Sequence, residues 1–249
     1  MGLFERYIKG ETKEVYRDLI HLEDQISDPN VLYEIDKVLT EIFSRVKYNS
    51  EITYNELRKM NYCFWGATSL DTRWPIRFPR KNTQSFIKEL ELRIKPFGYI
   101  PLSLKYFYQI VGSINFTWNY EANEQIKWIG SDPLEIIALE DIISIISNED
   151  WEEDMKKYVK DEDYQTAFLE LSGDFLHKDN ISGGPPYSIV LTRNKRIDGL
   201  MIHMPGKISL IDYLRTSFEN GGFYRGNEII GDREYDKYLG KVRKRLKKI

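Results

Sequence analysis

His177, Lys178 and Asp179, with Ser182-Gly183-Gly184 close behind, form the densest polar cluster of the chain. Acid-base or nucleophilic chemistry there requires the His177 imidazole within hydrogen-bond reach of Ser182 or of a substrate. Neither a GxSxG elbow nor a GxxxxGK[ST] phosphate loop accompanies the cluster. Its glycines and prolines therefore read first as a tight turn entering a strand at Tyr187, and an enzyme using His177, Asp179 and Ser182 is the weaker reading. The three histidines, His21, His177 and His203, stand far apart and in no ligand spacing, so no metal site and no cofactor are expected.

Two charge runs offer binding rather than chemistry. Residues 149–163 hold eight acidic side chains against three lysines. Glu149, Asp150, Glu152, Glu153 and Asp154 lead this run, and such a face can steer and cover a basic partner. The plainer reading is a solvated helix face. Residues 241–249 carry six positive charges and no negative one, which attracts phosphate backbones or acidic lipids. A helix C-terminus or tail with solvated lysines is the favoured reading of that run. Because no basic, aromatic-interleaved module accompanies it, direct nucleic-acid binding is not expected. Trp118 and Trp128 are the expected anchors of a protein contact, with Asp132, His177 and Asp179 as further partner-binding positions.

The elements that must position these groups follow from periodicity. Val15, Leu19, Leu22 and Ile26 share a helical stripe, and Asp28-Pro29 ends that helix and opens the next. The second helix should carry Leu32, Ile35, Leu39, Ile42 and Val46 inward and leave at Asn49-Ser50, with Thr53 to Glu56 capping a short third helix. Residues 61–82 break the period and bring Trp65, Trp74, Pro75 and Pro79 together with Arg73, Arg77, Arg80 and Lys81. They read as a loop laying aromatic and basic groups over other elements. Phe86, Leu90 and Ile94 mark a further helix. Pro101 starts another, with Leu104, Phe107, Tyr108 and Val111 inward and Gly112 at its exit.

Ile114, Phe116 and Trp118 alternate with polar residues as a strand does, and 134–139 is its expected neighbour. Residues 148–160 read as an acidic helix. Tyr164, Ala167, Phe168 and Leu171 read as a helical stripe ending at Gly173. Strands are expected at 187–191 and 199–204, and Ser209 should cap a last helix stopped by Gly221-Gly222. Strands in a block flanked by helices, without repeated βαβ units, predict an α+β protein. The division is a helical N-terminal extension over 1–80, with its aromatic and basic loop, and an α+β core over 81–249 with a basic tail.

With 41% apolar, 30% charged and 14% aromatic residues in 249, the chain can bury a sizeable core. A net charge of −3 announces no polyanionic partner, and the lone Cys63 excludes an internal disulfide and a cysteine-built zinc site. The most apolar stretch, 133–146, is broken by Glu135, Glu140 and Asp141, so no membrane span is expected. The opening Met1-Gly2-Leu3-Phe4-Glu5-Arg6 carries charge where a secretory peptide is apolar, and Arg6 stands where a myristoylation signal has Ser or Thr. The expected compartment is the cytoplasm.

The run from Ile100-Pro101-Leu102 through Phe107-Tyr108 to Gly112, leading into Ser113-Ile114-Asn115-Phe116, resembles the signature of the SUKH superfamily (Syd, SMI1/KNR4-like). There a Leu/Ile-Pro opens a helix bearing an aromatic pair, which ends at a glycine before the first strand. The segments 177–187, 211–215 and 221–223 are similar to stretches of bacterial members, so the resemblance spans about residues 83–225. It implies a mostly antiparallel sheet flanked by helices, with no shared catalytic apparatus. It also implies a protein partner: bacterial relatives commonly neutralise toxins as immunity proteins, while fungal ones regulate cell-wall synthesis. The expectation is a non-catalytic domain that occludes a toxin domain. A scaffold for an endogenous partner is the alternative.

Overall fold

A computed structural model describes residues 2–65, 75–123, 126–162, 164–181 and 183–249. Asp28 and Pro29 open the longest element: the Asp28 side chain accepts a hydrogen bond from the Asn30 amide at 2.8 Å, and proline's missing N–H costs nothing in the first turn. Preceded by α1 (Leu3–Ile8) and α2 (Thr12–His21), this α3 (Pro29–Lys59) runs 31 residues without the exit expected at Asn49-Ser50. The reason is tertiary. Asn49 is buried and exchanges two 2.8 Å hydrogen bonds with the backbone of Lys247, while Ser50 Oγ donates to the Val46 carbonyl one turn back. Residues that favour turns in isolation are here satisfied inside a helix. Nor does a capping box form at Thr53, since Glu56 instead pairs with Lys59 and Arg245. Ile35, Val38, Leu39, Ile42, Phe43 and Val46 are buried, but Leu32, expected inward, is 40% exposed.

Helix α4 (Thr83–Ile94) leads to α5 (Leu102–Tyr106), which widens into a π-helical turn over Phe107–Val111 and ends at Gly112 with φ +97°. A Cβ at Gly112 would strike the Arg77 carbonyl oxygen. Glycine is thus required twice, by its backbone conformation and by the close passage of β1 (Ile76–Arg77). β1 pairs antiparallel with β2 (Ser113–Asn115), and β2 with β3 (Glu135–Ile136), in a register that sets Asn115 opposite Glu135. Arg77 and Arg80 reach Asp141 and Glu140 at 3.7 Å, so this part of the loop does lie over a neighbouring helix. Arg73 and Trp74 lie outside the described residues.

That neighbour is α6 (Leu139–Ile146), followed by α7 (Glu149–Lys160), β4 (Phe168–Ser172), α8 (Phe175–Lys178), β5 (Tyr187–Val190), β6 (Leu200–Ile202), β7 (Ile208–Ser209), α9 (Leu210–Glu219) and α10 (Arg233–Val242). The last four strands form an antiparallel sheet in sequence order. The Ile137 amide donates to the Leu171 carbonyl at 2.8 Å and links the two sheets. Where the sequence predicts a helix through Phe168 and Leu171, the chain forms β4. Phe168, Leu169, Leu171 and Ser172 are all buried, and a strand covered on both faces loses its alternation and imitates helical spacing. The architecture is α+β, as the sequence predicts, with a helical N-terminal region.

One buried cluster extends from Tyr7 to Ile249, so the N-terminal helices share a core with both sheets. Phe43 of α3 meets Phe107 edge to face at 6.3 Å, and α3 also packs on α10. α10 lies beyond the last helix that the sequence predicts. It carries Tyr235, Tyr238, Leu239 and Val242 inward at i, i+3, i+4 and i+7. Among the described residues no helix is long and apolar enough to cross a membrane.

Candidate functional site

Ser172-Gly173 ends β4, and Asp174 starts α8 by accepting the His177 amide at 2.7 Å and the Gly184 amide. This brings Lys178 and Asp179 beneath the turn at 130–133. Asp132 there adopts φ +55° and is wholly buried. One carboxylate oxygen accepts Lys178 Nζ at 2.7 Å and the other accepts the Tyr187 hydroxyl at 2.9 Å. Burial, the largest influence, would lower the Lys178 pKa, but the charge and hydrogen bond of Asp132, together with Tyr213 and Glu135, outweigh it and hold the ammonium well above its ordinary value. The same ammonium stands 4.9 Å from the Tyr187 ring centre.

Asp179 is also buried, with both oxygens engaged by neutral donors. Trp118 Nε1 donates to one at 3.2 Å and the Gly130 amide to the other at 2.7 Å. Burial raises its pKa above the ordinary aspartate range, against the opposing pull of those two hydrogen bonds. Asp179 is therefore a staple between the turn and Trp118, three residues beyond β2, and its carboxylate is spent on Trp118 and Gly130. Ser182 lies outside the described residues. Among the described residues no three His, Cys, Asp or Glu side chains converge as metal ligands.

Trp118 and Trp128 are 3% and 2% exposed. This corrects their expected role as surface anchors. Trp128 packs on Phe223, Tyr235 and Tyr238 at 5.2–5.6 Å and donates to Asp232, the residue that caps α10. The indoles are large apolar bodies with one donor each, and the core supplies a partner for both. Asp132 and Asp179 are corrected likewise: they hold the interior together and present nothing to a partner. His177 alone of that group remains exposed.

His177 borders a cleft of about 500 Å³ that the sequence reading does not foresee. Its wall is Asn115 of β2, Glu135 of β3 and Thr117 just beyond β2, and its rim carries Trp65 and Ile181. Glu135 Oε1 accepts Asn115 Nδ2 at 3.0 Å, while Oε2 accepts the Gly173 amide at 2.9 Å and Ser172 Oγ at 3.2 Å. The alternation of 114–118 marks Asn115 and Thr117 as the polar side of a strand. Only the register could add Glu135 to it.

The acidic run behaves as periodicity demands. Asn148 caps α7 by accepting the Asp150 amide, and Trp151 and Met155 turn inward, Trp151 meeting Phe97 edge to face at 5.4 Å. Glu149, Asp150, Glu152, Glu153 and Asp154 are exposed together on the outer face, with Glu152 and Asp154 paired to Lys156 and Lys157 of the same helix. Asp163 lies outside the described residues. The basic run is less free than expected. Arg245 pairs with Glu56, Lys247 is tied to Asn49, the backbone oxygens of Lys248 and Ile249 accept from Arg45 and Arg215 at 2.9 and 2.8 Å, and Ile249 is buried.

No protein-family model, no curated protein and no solved structure matches this chain.

Proposed function

We propose that this protein is a non-catalytic binding domain of the immunity type, which neutralises a bacterial toxin in the cytoplasm by covering a basic face of it. The observation that carries this reading is the ridge of α7, five exposed carboxylates on a helix whose inner side is pinned by Trp151 and Met155. Charges held on a fixed backbone meet a complementary surface without first paying to order themselves, and they speed the encounter through long-range attraction. The resemblance of 100–116 to the SUKH signature supports the same reading. So does the use of Asp179, whose carboxylate serves Trp118 and Gly130 where a catalytic cluster would need it beside His177.

The test is co-expression with the product of the adjacent reading frame, scored by growth and by co-elution. Protection together with a salt-sensitive complex is the expected result, and protection lost when the five α7 carboxylates become amides assigns the contact. A complex with an endogenous protein in the absence of any toxin would replace this reading with that of a regulatory scaffold.

A further inference from the structure

The cleft beside α8 has a chemistry distinct from that of the α7 ridge. Its charge is one carboxylate, Glu135, fixed by three neutral donors: the Asn115 amide, the Ser172 hydroxyl and the Gly173 backbone. Asn115 is itself locked, because its oxygen accepts the Thr117 amide at 2.9 Å and also the Thr117 hydroxyl. Lys178, the cation lining the cleft, is committed to Asp132. Glu135 is therefore held in a defined orientation by neutral donors and makes no direct ion pair with a described side chain; the nearby Lys178 ammonium feels its charge but is bonded to Asp132. The lack of a side chain at Gly173 lets His177 and Glu135 pack close to the backbone there: a Cβ would stand 3.0 Å from His177 Cδ2 and 3.6 Å from Glu135 Oε2.

At the mouth stands Trp65, 42% exposed, its backbone amide held by the Thr117 carbonyl at 2.8 Å. Ile181, 49% exposed, completes the rim. A carboxylate with an aromatic face at its entrance suits a planar cation, which can meet the carboxylate edge-on while its face lies against the indole. An ammonium satisfies the charge but not the stacking surface. A volume of about 500 Å³ admits a long side chain with its hydration.

We propose that this cleft receives an arginine side chain of the protein partner, with Glu135 as counter-ion and Trp65 as stacking face. The inference deepens the binding role given above and rests on it for the source of the arginine. Its test needs no partner in hand.

The full-length protein, uniformly labelled with 15N, is titrated with N-acetyl-arginine methylamide, N-acetyl-lysine methylamide and free arginine. Capped arginine should shift the Trp65 signal saturably in the millimolar range and bind at least three-fold tighter than capped lysine. Trp65→Ala, an exposed change that leaves the core intact, should weaken binding of capped arginine three-fold or more, read from amide shifts around Asn115. Glu135→Gln should abolish it with the remaining spectrum retained, and the five α7 amide substitutions should leave it unchanged. Equal binding of both capped amino acids, no saturable shift, or an unaltered affinity in Trp65→Ala would overturn the proposal. Preference for free over capped arginine would reassign the cleft to a small metabolite and equally overturn it. Failure of the toxin experiment leaves these readouts in place, so the two readings fall separately.

Discussion

Two acidic regions of this molecule use the same side chains to opposite ends. On α7, Glu149 to Asp154 are solvated, two of them paired only with lysines of their own helix, and nothing in the core depends on them. Between the 130–133 turn and α8, Asp132 and Asp179 are removed from water, and every one of their oxygens accepts a hydrogen bond from Lys178, Tyr187, Trp118 or Gly130. A carboxylate in water costs nothing and attracts at a distance. One in the interior must be compensated in full, and in return it specifies how a loop sits on a helix. Architecture by charge therefore belongs to the second region, and the proposed binding by charge to the first.

Removing one partner of the buried pair should give the largest effect. Lys178→Met leaves the buried Asp132 carboxylate without its cation and should cost about 3–5 kcal/mol in urea unfolding. A loss under about 1 kcal/mol, within the range of ordinary surface changes, would break the contrast. Asp179→Asn comes next. An amide can accept from only one of Trp118 and Gly130 and turns an N–H toward the other, so a loss of about 1–3 kcal/mol is expected, with the Trp118 indole signal displaced.

A smaller effect appears in pH dependence. Asp198 is buried beside Tyr16, whose hydroxyl donates to it at 2.8 Å, and burial raises its pKa despite that help. The folded state thus keeps a proton that the unfolded chain releases near pH ~4, so this group's stabilisation is full below that value and is lost as pH climbs through the raised one. The stability advantage of the wild type over Asp198→Asn should widen as pH is lowered from 7 toward 4. A gap that stays constant would show that Asp198 titrates as it does in water. Smallest of all, converting the five α7 carboxylates to amides should change stability by less than about 0.5 kcal/mol. The same variant should slow association with a basic partner and flatten its salt dependence, which is the sharpest form of the contrast.

Much of the frame is legible in the chain. Asp28-Pro29, Asn148 and Ser209 all begin helices where their chemistry says they should, because a cap is a bargain struck within a few residues. The segment from Pro101 to Gly112 and the pairing of 114 with 136 follow the same logic of proline, glycine and alternation. The errors lie where a distant partner intervenes. Asn49 stays helical because Lys247 satisfies it, and β4 imitates a helix because layers cover both its faces. The stripe of α10 was readable, yet it lay beyond the Gly221-Gly222 stop.

The proposed binding groups divide in the same way. Periodicity alone places Trp151 and Met155 inward and so exposes the acids of α7. No local rule distinguishes a tryptophan that anchors a partner from one that anchors the core, and Trp118 and Trp128 proved to be the second kind. Nor can spacing join Trp65, Asn115, Glu135 and His177, which come from four separate stretches of chain. The sequence by itself determined the elements, their caps and the outward charge of α7, since these depend on neighbours within a few turns. Only the tertiary structure decided which charges are internal and that a cleft exists, because burial and strand register belong to the packing of distant segments.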